Sequence, residues 1–189
     1  PNPITGGKIE GRLPHQPAAG ESPNTFIAYL PMPIRHGMTM GELARLYNDE
    51  QKINADLTVV AMENWNRDHW FDETGLTWIN PSPNMRNLNQ ATLYPGIGMI
   101  EYSNISVGRG TDQPFEQFGA PWIDGSQLAA ALNARRLAGI RFYPVTFTPV
   151  SSRYANEECQ GVFMVVVNRA SLQPVRVGVE IASALFALY

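Results

Sequence analysis

The stretch DGSQLAAALNARRLAGIRFYPVTFT, residues 124–148, holds a helix and then a strand, and its reading decides the fold class. Residues 124–136 predict a helix. Asp124 or Ser126 caps it, Leu128, Ala131 and Leu132 mark one face, and Arg135 and Arg136 suit the negative end of its dipole. Residues 140–148 predict a strand, residues 162–168 a second, and residues 175–188 a last helix with Val179, Ala182, Leu185 and Phe186 along one stripe. Strands and helices mix without strict alternation, and no internal repeat or low-complexity linker interrupts them. The class is therefore α+β: a small mixed sheet with several flanking helices and long loops.

Upstream, residues 1–22 are rich in Pro and Gly and read as an extended lead-in. A short apolar strand is expected at 25–30, before Pro31-Met32-Pro33. Thr39-Met40-Gly41-Glu42 has the form of a capping box, and Leu43, Leu46 and Tyr47 carry the helix on towards Glu50. Residues 57–62 read as a buried strand, delivering the chain to an aromatic and charged loop at 63–78. A short helix is expected at 87–93, stopped by Pro95-Gly96, and a strand at 98–102, followed by a polar loop at 103–113.

Composition narrows the function classes. The chain has 189 residues, 44% hydrophobic and 16% charged, with 16 Gly and 15 Pro, so it is neither disordered nor a coiled coil. A net charge of −3 without Lys or Arg runs argues against nucleic-acid binding. No apolar stretch reaches the roughly 18 residues of a membrane span. Cys159 is the sole cysteine, so an intrachain disulfide is excluded. The sequence starts at Pro1 without an initiator Met and stops at Tyr189 inside an apolar helical run, which leads us to expect a segment of a longer polypeptide. Motifs for nucleotide hydrolysis (Gly-x-x-x-x-Gly-Lys), serine hydrolysis (Gly-x-Ser-x-Gly) and zinc chemistry (His-Glu-x-x-His, paired Cys-x-x-Cys) are missing.

Three regions carry candidate chemistry. In Pro33-Ile34-Arg35-His36-Gly37-Met38-Thr39, an Arg and a His sit at a turn into a helix start, a setting that favours an anion as well as it suits a plain turn. Between Glu63 and Asp72, Trp65, Trp70 and Phe71 accompany His69 and several acids. Flat aromatic faces beside hydrogen-bonding groups suit a sugar, while the same aromatics can wedge a loop onto a core. Asp68, His69 and Asp72 lack a nearby second ligand pair, so no metal site is assigned. In Asn104-Ile105-Ser106-Val107-Gly108-Arg109-Gly110-Thr111, glycines flank an Arg, letting backbone approach a ligand while the guanidinium grips a carboxylate or phosphate; a turn with a surface Arg reads the same. Glycosidases use two acids at a set separation, and Glu63, Asp68, Asp72, Glu73, Glu101 and Glu116 are available.

The longer strings are more specific. Pro1-Asn2-Pro3-Ile4, Pro33-Ile34-Arg35-His36-Gly37-Met38-Thr39-Met40-Gly41-Glu42-Leu43-Ala44, Asn80-Pro81-Ser82-Pro83-Asn84-Met85, Tyr94-Pro95-Gly96, Gly108-Arg109-Gly110-Thr111, Pro114-Phe115-Glu116 and Gly119-Ala120-Pro121-Trp122-Ile123-Asp124 occur in this order. The series resembles the NamZ-type exo-β-N-acetylmuramidase family, formerly a domain of unknown function. The resemblance implies that residues 1–189 form the C-terminal domain of a two-domain glycosidase, partnered by the protein's own N-terminal Rossmann-like domain. It implies hydrolysis of terminal N-acetylmuramic acid from peptidoglycan fragments, with the active site in the interdomain cleft and no cofactor. The family's proposed catalytic glutamate belongs to the part absent from this chain, so no catalytic residue is assigned. Work outside the cytoplasm, periplasmic or secreted, follows from family habit.

Substrate-binding residues are then expected at Arg35, His36, Trp65, Trp70, Asn84, Glu101, Asn104, Ser106, Arg109, Thr111 and Glu116. Arg109, with Arg35, is expected to grip the lactyl carboxylate that N-acetylmuramic acid carries and N-acetylglucosamine lacks. One position departs from the family wording: Val107 stands where a carboxylate is usual. That departure supports a rival reading, a non-catalytic cell-wall sugar-binding protein on the same fold.

Overall fold

Thr39 and Glu42 cap a helix as their spacing predicts. In the computed structural model, which describes residues 8–10 and 32–189, helix α1 spans Met40–Glu50. The Thr39 hydroxyl accepts from the Glu42 amide (3.1 Å) and the Glu42 carboxylate accepts from the Thr39 amide (2.8 Å). The chain divides into two compact units, Pro1–Thr77 and Trp78–Tyr189. The strand expected at 25–30 lies outside the described residues.

Within the first unit, the strand expected at 57–62 does not form. Leu57, Val60 and Met62 are exposed, and among the described residues no strand pairs with the segment. Apolar β-branched residues favour a strand only when a neighbouring ladder accepts their backbone groups. Here the Asn48 side chain instead holds Ala55, accepting from its amide (2.8 Å) and donating to its carbonyl (3.0 Å).

The second unit is α+β as expected, and its sheet is antiparallel throughout rather than mixed. Strands β1 (Gln117–Ala120), β2 (Ile140–Phe147) and β3 (Cys159–Val166) lie in the order β1-β3-β2. Phe118 opposes Val162, and Phe142 opposes Met164. β1 was not expected from the sequence; every one of its residues is buried. Helix α3 (Gly125–Ala134) is capped by Asp124, whose carboxylate accepts from the Gln127 amide at 2.9 Å, and packs on β2 and β3. Phe118, Leu128, Leu132, Ile140, Val162, Met164 and Ile181 fill the core.

Helix α2 (Leu88–Ile97) and helix α4 (Pro174–Leu188) pack together and correct three expectations. Pro95 does not stop α2, which runs through it to Ile97. A proline there removes only one amide donor, and the contact beyond it compensates: a Cβ on Gly96 would overlap the Pro174 carbonyl, and one on Gly178 would overlap Gly96. Residues 98–102 are not a strand, since α2 passes into a 3-10 turn at Gly98–Ile100. The buried stripe of α4 is Val177, Gly178, Ile181 and Ala184, not the expected one: Val179, Ala182 and Phe186 face solvent. α4 is apolar nearly all round, so the glycine approach, not periodicity, selects its face.

Candidate functional site

Two loops of the second unit clasp one another. The Val150 amide donates to the Gly110 carbonyl (2.9 Å), and Gly110, at φ +83°, lies so close that a Cβ would overlap the Ser151 backbone. Farther along, the Tyr154 hydroxyl donates to the Asn104 carbonyl (2.7 Å) and accepts from the Trp122 indole (3.2 Å). The Asn156 amide closes the second loop onto the Pro149 carbonyl at 2.7 Å. Ser152, Tyr154 and Asn156 all hold left-handed backbone (φ +71°, +60° and +63°), a cost that the anchoring contacts offset.

Between the loops lies a cavity of about 650 Å³, its wall including Glu101, Tyr102, Val107, Arg109, Arg153 and Tyr154. Glu101 follows the 3-10 turn, its amide donating to the Gly98 carbonyl at 3.3 Å. Arg109 projects from a turn closed by Thr111, whose amide and hydroxyl both donate to the Gly108 carbonyl (3.1 and 2.7 Å). The Arg109 guanidinium pairs through Nε with the Glu101 carboxylate; the side chains are 35% and 15% exposed. Its other side covers the Phe115 ring at 5.2 Å, and Phe115 meets Tyr94 edge to face at 4.8 Å. Burial pushes the Tyr94 hydroxyl up from its ordinary value; the Glu101 charge adds to this and Arg109 opposes it. The arrangement is a half-open polar pocket with a donor–acceptor pair at its wall and aromatic edges around it.

Glu101 and Arg109 are thus brought together, with Asn104 at the rim through its carbonyl. Ser106 is buried, exchanges backbone hydrogen bonds with Gly119 (2.9 Å each) and accepts the Gly108 amide on its hydroxyl (3.3 Å), so it shapes the loop from inside. Thr111 accepts from the Gln113 amide (3.1 Å) and the Gln117 side chain (3.0 Å). Glu116 is buried and accepts from Asn89 at 3.2 Å. Asn84 lines a different cavity of about 450 Å³, with Gly110, Thr111 and Asp112.

Arg35, His36, Trp65 and Trp70 belong to the first unit. Arg35 is buried and ion-paired with Glu10 at 2.9 Å. His36 Nδ1 accepts from the Met38 amide (3.1 Å), and burial lowers its pKa. Trp65 lies under the Arg67 guanidinium (5.6 Å to the ring centroid), and Trp70 is buried with its amide donating to Glu73 at 2.6 Å. Arg67 itself, which sequence reading passed over, donates to the Gly37 carbonyl (2.6 Å) and pairs with Glu42. Sequence reading also missed Tyr102, Phe115, Arg153 and Tyr154. Phe115 sits in the quoted Pro114-Phe115-Glu116 string without a role assigned to it, while Arg153 and Tyr154 carry no motif and lie more than 40 residues from Arg109. Among the described residues, no three His, Cys, Asp or Glu side chains are grouped to hold a metal.

Comparison with known proteins places the chain in a family. Residues 92–189 match the model described as exo-β-N-acetylmuramidase NamZ, C-terminal, and residues 1–89 the one described as exo-β-N-acetylmuramidase NamZ, N-terminal. The chain belongs to the NamZ exo-β-N-acetylmuramidase family. It is 42% identical over 189 residues to the peptidoglycan β-N-acetylmuramidase NamZ of Bacillus subtilis (strain 168), a match covering 100% of this chain and 44% of that protein. Among solved structures, a DUF1343 family protein from Bacteroides fragilis NCTC 9343 superposes with TM-score 0.91 at 33% identity, over 100% of this chain and 49% of that one. A second DUF1343 protein from the same organism gives 0.65 at 28% identity, over 94% and 44%. The chain therefore spans about half the length of these relatives. The change from the N-terminal to the C-terminal description falls at the start of α2.

Proposed function

We propose that this chain supplies the sugar-binding part of a glycoside hydrolase that removes terminal N-acetylmuramic acid from the non-reducing end of peptidoglycan fragments outside the cytoplasm. Its own N-terminal Rossmann-like domain completes the cleft and brings the catalytic acid, so the 189-residue chain alone binds without hydrolysing. The Arg109–Glu101 pair at a half-open cavity, in a chain of the NamZ family, carries the reading. A muramic-acid sugar has a carboxylate, hydroxyls and an apolar ring face. Arg109 offers N–H donors to the oxygens of the sugar's rim, Glu101 accepts from a hydroxyl, and Tyr102 and Tyr154 offer ring faces and edges to its apolar side. Arg35 is left out of this grip, because Glu10 already takes its charge.

Val107 favours a second reading. It is buried in the pocket wall and joins the core cluster, where the family resemblance leads one to expect a carboxylate. A chain lacking that acid suits a sugar-binding protein that has lost catalysis. Hydrolysis of a chromogenic β-N-acetylmuramide by the full-length protein, with the matching N-acetylglucosaminide as control, separates the two. Release from the muramide alone is the expected result. No release, accompanied by a thermal shift on adding N-acetylmuramic acid, would hand the assignment to the binding protein.

A further inference from the structure

Arg109 cannot by itself account for selection of an anionic sugar. Glu101 lies against its guanidinium, so the pair presents little net charge, and an arriving carboxylate meets the repulsion of Glu101 as well as the attraction of Arg109. Discrimination between a sugar with a carboxylate and one without needs a cation at the same cavity whose charge is not already met.

Arg153 fits that requirement. It lines the cavity with Arg109 and Tyr154, and its side chain is exposed. Among the described residues it has no ion-pair or hydrogen-bond partner; Glu157 and Glu158, on the same loop, do not pair with it. Its backbone, by contrast, is held on both sides. Val150 is bonded to Gly110 just before it, and Tyr154 is bonded to Asn104 just after it. Left-handed residues flank it at Ser152 and Tyr154. The anchored loop fixes where the guanidinium starts, so less ordering remains to be done when an anion arrives.

We propose that Arg153 is the specificity residue of this pocket, supplying the uncompensated positive charge that selects sugars bearing the lactyl carboxylate over their N-acetylglucosamine counterparts. The proposal rests on the muramic-acid reading of the cavity. In it the two arginines divide the work: Arg109 and Glu101 hold the sugar's polar rim whatever its substituent, and Arg153 reads the substituent.

The test is calorimetric binding of N-acetylmuramic acid and of N-acetylglucosamine to the full-length protein, its Arg153→Gln and Arg153→Lys variants, and Arg109→Ala. Arg153→Gln is expected to raise the Kd for N-acetylmuramic acid by about tenfold to a hundredfold, the loss of one charge-assisted contact, with the N-acetylglucosamine Kd changing less than about twofold. Arg153→Lys should restore part of the difference, since it keeps the charge and gives up the fork. Arg109→Ala should weaken both sugars. An Arg153→Gln protein that keeps the parent's ratio of the two affinities overturns the proposal, as does a parent protein that binds both sugars alike. Binding selectivity that depends on Arg153, in a protein that hydrolyses neither glycoside, would leave the proposal standing and sink the hydrolase reading alone.

Discussion

The two units differ in what holds their arginine-bearing loops. In the first, Arg35 is buried against Glu10, and Arg67 is bonded to Gly37 and Glu42 while covering Trp65. Those charges fasten one stretch of chain to another. In the second, Arg109 shares a cavity with Arg153, and the loops that carry them are anchored by backbone bonds and Tyr154 rather than by the arginines. The difference follows from what else is present to hold each region. Helix α1 buries no residue, so polar pins do the fastening around it. The second unit has Phe118, Leu128, Met164 and Ile181 under a three-stranded sheet, so its stability does not rest on Arg153, which has no ion pair among the described residues, although Arg86, Arg109 and Arg135 are paired there. A guanidinium is informative about function where an apolar core already does the structural work.

The comparison breaks first in the core. Ile181 is fully buried on α4, and truncating it leaves a cavity that the close Gly96–Gly178 contact prevents from collapsing. Ile181→Ala should cost about 2–5 kcal/mol in denaturant unfolding of the second unit. A loss below about 1 kcal/mol would mean that this unit too is held by something other than its core.

Smaller, and confined to the first unit, is the acid response of α1. Arg67 beside Glu42, helped by the Thr39 amide, lowers the Glu42 pKa from the ordinary 4.5 to about 2. A folded-state pKa below the unfolded value means that the stabilisation is fully present above about pH 4.5 and is lost as pH falls through about 2. Amide exchange in the first turn of α1 should therefore accelerate across that window. It should do so less in high salt, because both partners are substantially exposed. Glu42→Gln should remove the pH dependence altogether. If the variant keeps the same acid limb, the pin is not what holds this helix.

Much of this was legible in the sequence, for identifiable reasons. The α1 capping box, the Asp124 cap, β2 and β3 are local: each depends on residues within a few positions of one another. What failed was non-local. Residues 57–62 have strand composition without a ladder partner, Pro95 is tolerated because Gly96 meets Gly178 some 80 residues later, and β1 is a strand because β3 runs beside it. The site divides in the same manner. Glu101 and Arg109 lie close in sequence and were both expected. Arg153 and Tyr154 join them only through the bonds from Val150 to Gly110 and from Tyr154 to Asn104.

The finest test concerns the face of α4. Periodicity favoured Val179, Ala182, Leu185 and Phe186, whereas the fold buries Val177, Gly178, Ile181 and Ala184, rotating the helix by about one residue step in the direction that brings Gly178 onto Gly96. A larger side chain at 178 cannot make that approach, so the glycine fixes the rotation and Phe186 is left 92% exposed. Phe186→Ala should then change the stability of the 189-residue chain by no more than about 0.5 kcal/mol, against the several lost at Ile181. Measured on this chain and again on the full-length protein, the same substitution separates two explanations for so large an aromatic at the surface. Near-neutrality in both makes Phe186 an ordinary exposed residue. A cost of about 1.5–3 kcal/mol that appears only in the full-length protein would make it a residue buried by the rest of the polypeptide.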